Sequence, residues 1–351
     1  MLLIATYFSV FILYVLNFFD DVFLTPLRKY SYFIVLFFAF LLLGFTENSI
    51  DYNGYKIYYD TVKTLSNYNT DVLFNFAILI FKYFSFSFEF FYHSVGIINF
   101  ILLLVILNIF FKTEREKIIF LLCYLSFAFL LKDLIQMRNA LALKYFLLSL
   151  YFFFRKKGFF VFSLYIMAVL THNSLLMFVP IFFVHKHVRL SGYLLIFLYA
   201  AFFIVYFGNG FIKVLKSIPV FGGRIGSYLA FSSREFDALS LFHFVRICIY
   251  LFFFFFFLKN NADKRIRFLL ICVTYGYLIR ICLIDVSMLS GRLAENTYVL
   301  EAFLLAYIFQ RPSKKPTRVF KYCFLLLYCA VYIKMIFGNL DFLNKYQSLI
   351  W

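Results

Sequence analysis

The stretch SFEFFYHSVGIINFILLLVILNIFF, residues 87–111, decides the fold class of this protein. It contains one acidic residue, Glu89, and no lysine or arginine. A helix needs about 20 mostly apolar residues to cross the hydrocarbon core of a bilayer, so this stretch is long enough to span a membrane. Comparable apolar runs lie at 2–18, 31–46, 117–131, 137–154, 158–171, 174–185, 191–207, 238–258, 266–285, 293–309 and 318–337. The sequence therefore predicts an all-α, polytopic integral membrane protein with about twelve transmembrane helices.

The composition of the whole chain supports this fold class. Apolar residues make up 64% of the 351 positions and aromatic residues make up 25%. A soluble domain would be close to half apolar, so lipid must be the solvent for much of this surface. Glycine and proline are scarce, with 13 and 5 copies, which favours helices over a barrel of short strands and many turns. We predict a single transmembrane helical domain over residues 1–351.

The formal charge of +17 is distributed as in a membrane protein and not as in a nucleic-acid-binding protein. The basic residues form short clusters between apolar runs, at alternate connections, which follows the positive-inside rule. All these clusters face the cytoplasm only if both termini lie outside. The long connections 47–86 and 208–237 then lie outside and form a cap on the substrate side. Within the first, 71–84 is predicted to be an interfacial helix with Asn75 and Lys82 on its wetter side.

Three arginines next to or within apolar helices are candidates for binding a charged substrate: Arg138, Arg280 and Arg292. A charge at the bilayer centre costs at least about 2.5–3.5 kcal/mol, so each needs a partner, a wet cavity or a function. Glu295 lies three residues after Arg292 and is predicted to face the same side. Each arginine alone could be an interfacial residue or part of a helix–helix ion pair. Several arginines converging on one outer cavity would instead suit a phosphate or pyrophosphate.

His172, in the sequence Thr171-His172-Asn173-Ser174, lies at a predicted outer helix junction. Histidine titrates near operating pH, so this residue is a candidate general base or a phosphate ligand. The ligand role is slightly favoured, because a lone histidine among arginines readily completes a cationic pocket. The alternative is a hydrogen-bonded residue at the helix boundary.

The outer segment Asp51–Asp60 contains Tyr52, Tyr55 and Tyr59 at helical spacing. A helix would align these rings on one face, where they could stack on sugar rings while Asp51 or Asp60 binds hydroxyl groups. The alternative is an aromatic belt at the membrane interface.

The sequence lacks the motifs that bind nucleotides or catalytic metals. It contains no G-x-x-x-x-G-K-[ST] and no H-E-x-x-H, and its acidic residues form no clear Mg²⁺ pair. We therefore expect no cofactor and no metal, and a transferase here would need an already activated donor.

The segment from Gln136-Met137-Arg138 through Arg155-Lys156-Lys157 to Thr171-His172-Asn173-Ser174 resembles the EpsG-type branch of the Wzy polysaccharide polymerases. The outer Asp51-Tyr52-x-x-Tyr55 and the pair Arg224 with Tyr228 also match the layout of that family.

The resemblance implies a glycosyltransferase of GT-C architecture in the bacterial cytoplasmic membrane. It would polymerise undecaprenyl-pyrophosphate-linked oligosaccharide repeats into O-antigen, capsule or exopolysaccharide at the outer face. Membrane lipids, a chain-length regulator and a flippase would be its partners. The expected catalytic residues are Arg138, His172, Asp51 and Glu295, and the expected substrate-binding residues are Tyr52, Tyr55, Tyr59, Arg224, Tyr228, Arg280 and Arg292. A flippase for the same lipid-linked sugars and a membrane O-acyltransferase are the competing functions.

Overall fold

The computed structural model describes residues 2–18, 25–45, 51–65, 71–184, 264–282, 287–309 and 321–330, and all regular structure within these ranges is helical. The helices are α1 (Leu2–Phe18), α2 (Thr25–Phe45), α3 (Tyr52–Thr61), α4 (Val72–Tyr83), α5 (Phe88–Phe110), α6 (Glu114–Cys123), a π-helical segment (Tyr124–Ile135), α7 (Met137–Phe154), α8 (Gly158–Thr171), a 3-10 turn (Asn173–Phe178), α9 (Val179–Val184), α10 (Lys264–Cys282), α11 (Ser287–Phe309) and α12 (Lys321–Ala330). The predicted helices 191–207 and 238–258 lie outside the described residues.

The membrane prediction is confirmed at the level of class. By length and composition, α2 and α5 are able to cross a bilayer. A third crossing is possible if Glu114–Ser126 and Ala128–Ile135, which meet at 67°, form one broken span. Large apolar side chains such as Phe8, Phe37 and Phe159 are exposed on the helix surfaces, as expected of side chains that face lipid. The described ranges thus contain two or three clear candidates, and the total of about twelve stays a prediction.

Helix starts follow local capping signals. The Ser87 hydroxyl accepts a hydrogen bond from the Phe90 amide at the start of α5. Thr113 and Glu116 form a reciprocal capping box at the start of α6. Because of this box, α6 begins at Glu114 and not at the predicted 117.

The predicted helix 117–131 is wrong at its carboxyl end. The chain continues as a π-helical segment to Ile135, and a break at Gln136 precedes α7. Lys132 and Asp133, predicted to lie in an outer connection, are buried. Polar partners within the protein allow them to be buried, as described below. Similarly, α2 begins at Thr25 and not at 31, and α11 begins at Ser287 and not at 293.

The described residues belong to two compact units. The first is drawn from Met1–Leu175 and Leu305–Trp351, and the second from Leu176–Leu304. The prediction of one domain over 1–351 stays a prediction.

In the first unit, α1 packs on α2, α2 on α5, α5 on α7, and α7 on α8, while the short α4 packs against α8. The α2–α5 contact requires a glycine, because a Cβ at Gly96 would lie 1.9 Å from the Leu43 carbonyl oxygen. Small residues permit such close helix contacts in membranes.

In the second unit, Gly276 of α10 allows a similarly close approach to Thr297 of α11.

Candidate functional site

Asp71 is the centre of a cluster that joins three helix ends of the first unit. It directly precedes α4 and has a left-handed backbone (φ 58°, ψ 39°), which aspartate tolerates better than most residues. Its side chain is only 6% exposed. One carboxylate oxygen lies 2.7 Å from Nη1 of Arg138, at the start of α7, and the other lies 3.2 Å from Nδ1 of His172, at the end of α8. The structure therefore brings together two of the predicted site residues through an acid that was not predicted.

Two neighbouring aromatic rings lie beside the Arg138 guanidinium. Its centre lies 5.0 Å from the centroid of the Tyr58 ring and 5.8 Å from that of Phe74. Cation–π attraction of this kind helps to hold a guanidinium in place. The Arg138 side chain remains 25% exposed. Among the described residues, its buried Nε has no hydrogen-bond partner.

His172 terminates α8 with an extended backbone and lies outside the helices on either side of it. Its amide donates to the Ala168 carbonyl at 2.9 Å. Burial lowers the pKa of His172 below 6.5, while the hydrogen bond and the charge of Asp71 act in the opposite direction. An ionised carboxylate can only accept, so the contact requires a proton on Nδ1. The neutral ring then carries its lone pair on Nε2.

The Asp51–Asp60 segment contains most of the helix α3, and its tyrosines pack against the core of the first unit. Tyr59 is buried against Phe88 and Phe91, and its hydroxyl donates to the Phe86 carbonyl at 2.8 Å. Tyr52 contacts Phe88 and Tyr92 edge-on. All these rings belong to, or pack against, one aromatic core cluster of the first unit.

Tyr55 and Asp51 lie near the cluster around Asp71. The Tyr55 hydroxyl oxygen accepts a hydrogen bond from the Arg138 amide at 3.4 Å. Burial raises the pKa of Tyr55 to about 12, and the charges of Asp51 and Asp71 add to this increase while Arg138 opposes it. Tyr55 is therefore neutral at physiological pH.

The prediction that Asn75 lies on the wetter side of α4 is wrong. Asn75 is 0% exposed, accepts a hydrogen bond from Tyr58 and donates to the Leu65 carbonyl at 3.3 Å. Lys82 donates to the carbonyls of Asp60 at 3.1 Å and Val62 at 2.8 Å. Both polar side chains fasten α4 to α3 and the turn after it, which explains why an apolar helix carries them.

The other predicted site residues lie in the second unit or outside the described residues. In the second unit, Arg280 is buried and donates to the Tyr298 hydroxyl at 2.6 Å. Glu295 is half-buried in α11, and Arg292 lies within that helix. Arg224 and Tyr228 lie outside the described residues.

Asp71 is the functional residue that sequence reasoning missed. The available signal was its position: an acid directly before an apolar helix, on the side predicted for both Arg138 and His172. No group of three or more His, Cys, Asp or Glu in the described ranges is placed to hold a metal ion.

Fold and site together define an all-helical protein with apolar helices and a cluster in which a buried aspartate contacts a partly exposed arginine and histidine. A sequence model of the EpsG family matches residues 29–348, nearly the whole chain. The chain belongs to the EpsG family. No curated protein and no solved structure matches it significantly. Family membership indicates a polysaccharide polymerase, a glycosyltransferase-like enzyme of the membrane.

Proposed function

We propose that this protein joins undecaprenyl-pyrophosphate-linked oligosaccharide repeats into a polysaccharide at the outer face of the bacterial cytoplasmic membrane. The observation that carries the proposal is the cluster of Asp71, Arg138 and His172, in which a buried carboxylate contacts a guanidinium and an imidazole. The family membership supports a polymerase, and the cluster supports the chemistry. About twelve spans in a GT-C architecture, with both termini outside, complete the proposal.

Arg138 is the proposed ligand of the donor pyrophosphate. Asp71 contacts Nη1, while Nε has no hydrogen-bond partner among the described residues. The guanidinium fork suits phosphate oxygens and keeps its charge. Next to the rings of Tyr58 and Phe74, it would stabilise the negative charge that develops on the departing pyrophosphate.

His172 is the proposed general base. Its Nδ1 contact with Asp71 leaves the lone pair on Nε2, and burial favours the neutral ring at pH 7. These two features favour the base role over the phosphate-ligand role that the sequence slightly favoured. Nε2 takes the proton of an acceptor sugar hydroxyl, and Asp71 steadies the resulting imidazolium.

The proposed transfer forms one bond and breaks one bond, and its atoms and electrons balance without a metal or cofactor. The acceptor oxygen forms a bond to the anomeric carbon of the growing chain, the bond from that carbon to the pyrophosphate oxygen breaks, and undecaprenyl pyrophosphate leaves with the electron pair. The acceptor proton is transferred to His172.

The remaining predicted site residues keep supporting roles in this proposal. Asp51, directly before α3, is proposed to bind sugar hydroxyls. Tyr59 holds α3 in position. For Glu295 a role as a second carboxylate stays a prediction, as does substrate binding by Arg224, Tyr228, Arg280 and Arg292.

Incubation of purified protein with a purified lipid-linked repeat tests the proposal. We expect a ladder of products with increasing numbers of repeats and release of undecaprenyl pyrophosphate. Movement of the repeat across a liposome bilayer without covalent change would instead show a flippase. Acyl transfer from an added acyl donor, without chain growth, would show an O-acyltransferase.

A further inference from the structure

A buried ion pair joins α7 to the π-helical segment in the first unit. Lys144 of α7 and Asp133 of the π-helical segment are 2% and 0% exposed, and Lys144 Nζ donates to Asp133 Oδ1. The Tyr124 hydroxyl donates to the other oxygen of Asp133. Asn99 of α5 accepts a hydrogen bond from Lys144 at 3.1 Å. Buried charges are expensive to maintain, so a pair this well satisfied is a candidate for a specific role.

This network reaches the backbone next to Arg138. The Asn99 side chain that accepts from Lys144 also donates, through Nδ2, to the Met137 carbonyl at 3.3 Å. Asn99 therefore links the ion pair directly to the residue that precedes Arg138.

Hydrogen bonds also hold the side chain of Gln136, the residue before α7. Its side-chain oxygen accepts from Lys132 Nζ at 2.9 Å and from Asn139 Nδ2 at 3.0 Å. Gln136 occupies the N-cap position of α7 but provides no side-chain cap of its own. The first turn of α7, which carries Arg138, is thus held by the neighbouring π-helical segment, by α5 and by Tyr55 of α3, and Gln136 adds no side-chain cap.

We infer that Asp133 and Lys144 are positioning residues for Arg138: they fix the first turn of α7 so that the guanidinium meets the pyrophosphate in the productive orientation. The inference rests on the proposed function. Neither residue touches the substrate. A displacement of about 1 Å at a reacting group can reduce turnover about a hundredfold, so a buried pair behind the helix start can control the rate.

The test compares chain growth by the full-length protein and by the double variant Asp133→Asn/Lys144→Met. Removing both charges together avoids an unpaired buried ion, so abundance and thermal stability should stay near those of the parent. We expect chain growth to slow about tenfold or more. Lys117→Met is the matched control, because Lys117 is a half-buried lysine of the same unit whose hydrogen bond to Asn108 lies at the surface. It should extend chains at the parental rate.

A second comparison separates positioning from a general structural role. The same two substitutions are added to Arg138→Lys protein, whose residual chain growth is followed by mass spectrometry over a long incubation. In this background they should slow growth by no more than about twofold, because the residue that Asp133 and Lys144 position is already altered. Hydrogen exchange in 137–141 should also quicken in the double variant, while exchange in α5 stays parental. Equal slowing in both backgrounds, parental growth of the double variant, or unchanged exchange at 137–141 would each overturn the inference. A parental protein that fails to extend the repeat refutes the proposed function instead, and the exchange data still decide whether the pair holds α7.

Discussion

Asp71 contacts two side chains, a guanidinium and a neutral imidazole, with separate carboxylate oxygens, and this arrangement gives each partner a defined orientation. Oδ2 faces Arg138 and Oδ1 faces His172. The aspartate therefore fixes the histidine tautomer and one edge of the guanidinium at the same time. Because the acid lies just before α4, its position depends on the packing of α4 against α8. The same contact brings the ends of two helices, 101 residues apart in the chain, into one site.

The pH dependence of chain growth should report the state of His172. Burial lowers its pKa in the folded protein, so the ring is neutral at pH 7. A base must be neutral to act, so kcat/KM should be flat at neutral pH and fall as the pH drops through that lowered pKa. Asp71→Asn removes the carboxylate whose charge and hydrogen bond raise the pKa of His172. Its acid limb should therefore shift to still lower pH, with a maximal rate reduced about a hundredfold.

The variant His172→Gln should lose turnover and its acid limb, whereas His93→Gln, a histidine of α5 outside the cluster, should keep the parental profile. If donor binding weakened as the pH rose through the histidine pKa, His172 would act as a cationic phosphate ligand and the assignment as a base would be wrong.

At the scale of the helices, sequence reasoning located a helix correctly where the apolar run and the helix end at the same residues. The bounds predicted for α1, α7 and α8 coincide with those observed. It failed where polar residues are buried because other polar side chains inside the protein bind them. Lys132 and Asp133 ended the predicted helix 117–131, since charges normally mark a membrane boundary, but Asp133 finds Tyr124 and Lys144 inside the protein.

Only part of the candidate site was predictable from the sequence, because the sequence does not show which helices pack together. Arg138 and His172 were visible as polar residues at predicted outer helix ends. Asp71 was not, because only the packing of α4 on α8 shows that its carboxylate faces both. Asn75 was misplaced because its partner, Tyr58, lies on another helix.

The contact between α2 and α5 gives a stability prediction. Gly96→Ala places a Cβ 1.9 Å from the Leu43 carbonyl oxygen, and backbone cannot yield as a side-chain tip does. We expect a loss of about 1–3 kcal/mol, seen as a lower thermal midpoint of the purified protein. Gly54→Ala is the matched control, because nothing lies within 4 Å of a Cβ there. It should be neutral or stabilising by up to about 1 kcal/mol, as expected for alanine in a helix. Equal midpoints for the two variants would contradict the close contact.

At the scale of the whole molecule, the orientation in the membrane determines where the chemistry takes place. The basic clusters predict that Asn53 and Ser232 lie outside and that Asn260 and Ser313 face the cytoplasm. In a protein whose native cysteines are replaced, single cysteines at the first two positions should react with an impermeant thiol reagent added to intact spheroplasts. Those at Asn260 and Ser313 should react only after permeabilisation. Labelling at Asn260 from outside would reverse the orientation and place the Asp71 cluster on the wrong face for a polymerase.

The rate of chain growth by Arg138 variants, measured on purified protein with a lipid-linked repeat, tests the central claim most directly. Arg138→Ala removes the proposed pyrophosphate ligand and should slow extension about a hundredfold to a thousandfold. Arg138→Lys keeps the charge but loses the planar fork, so it should also be severely impaired. Arg28→Lys, in the first turn of α2, is the control and should make parental chains. If Arg138→Ala protein at normal abundance made long chains at the parental rate, the Asp71–Arg138–His172 cluster would not be the site of polymerisation.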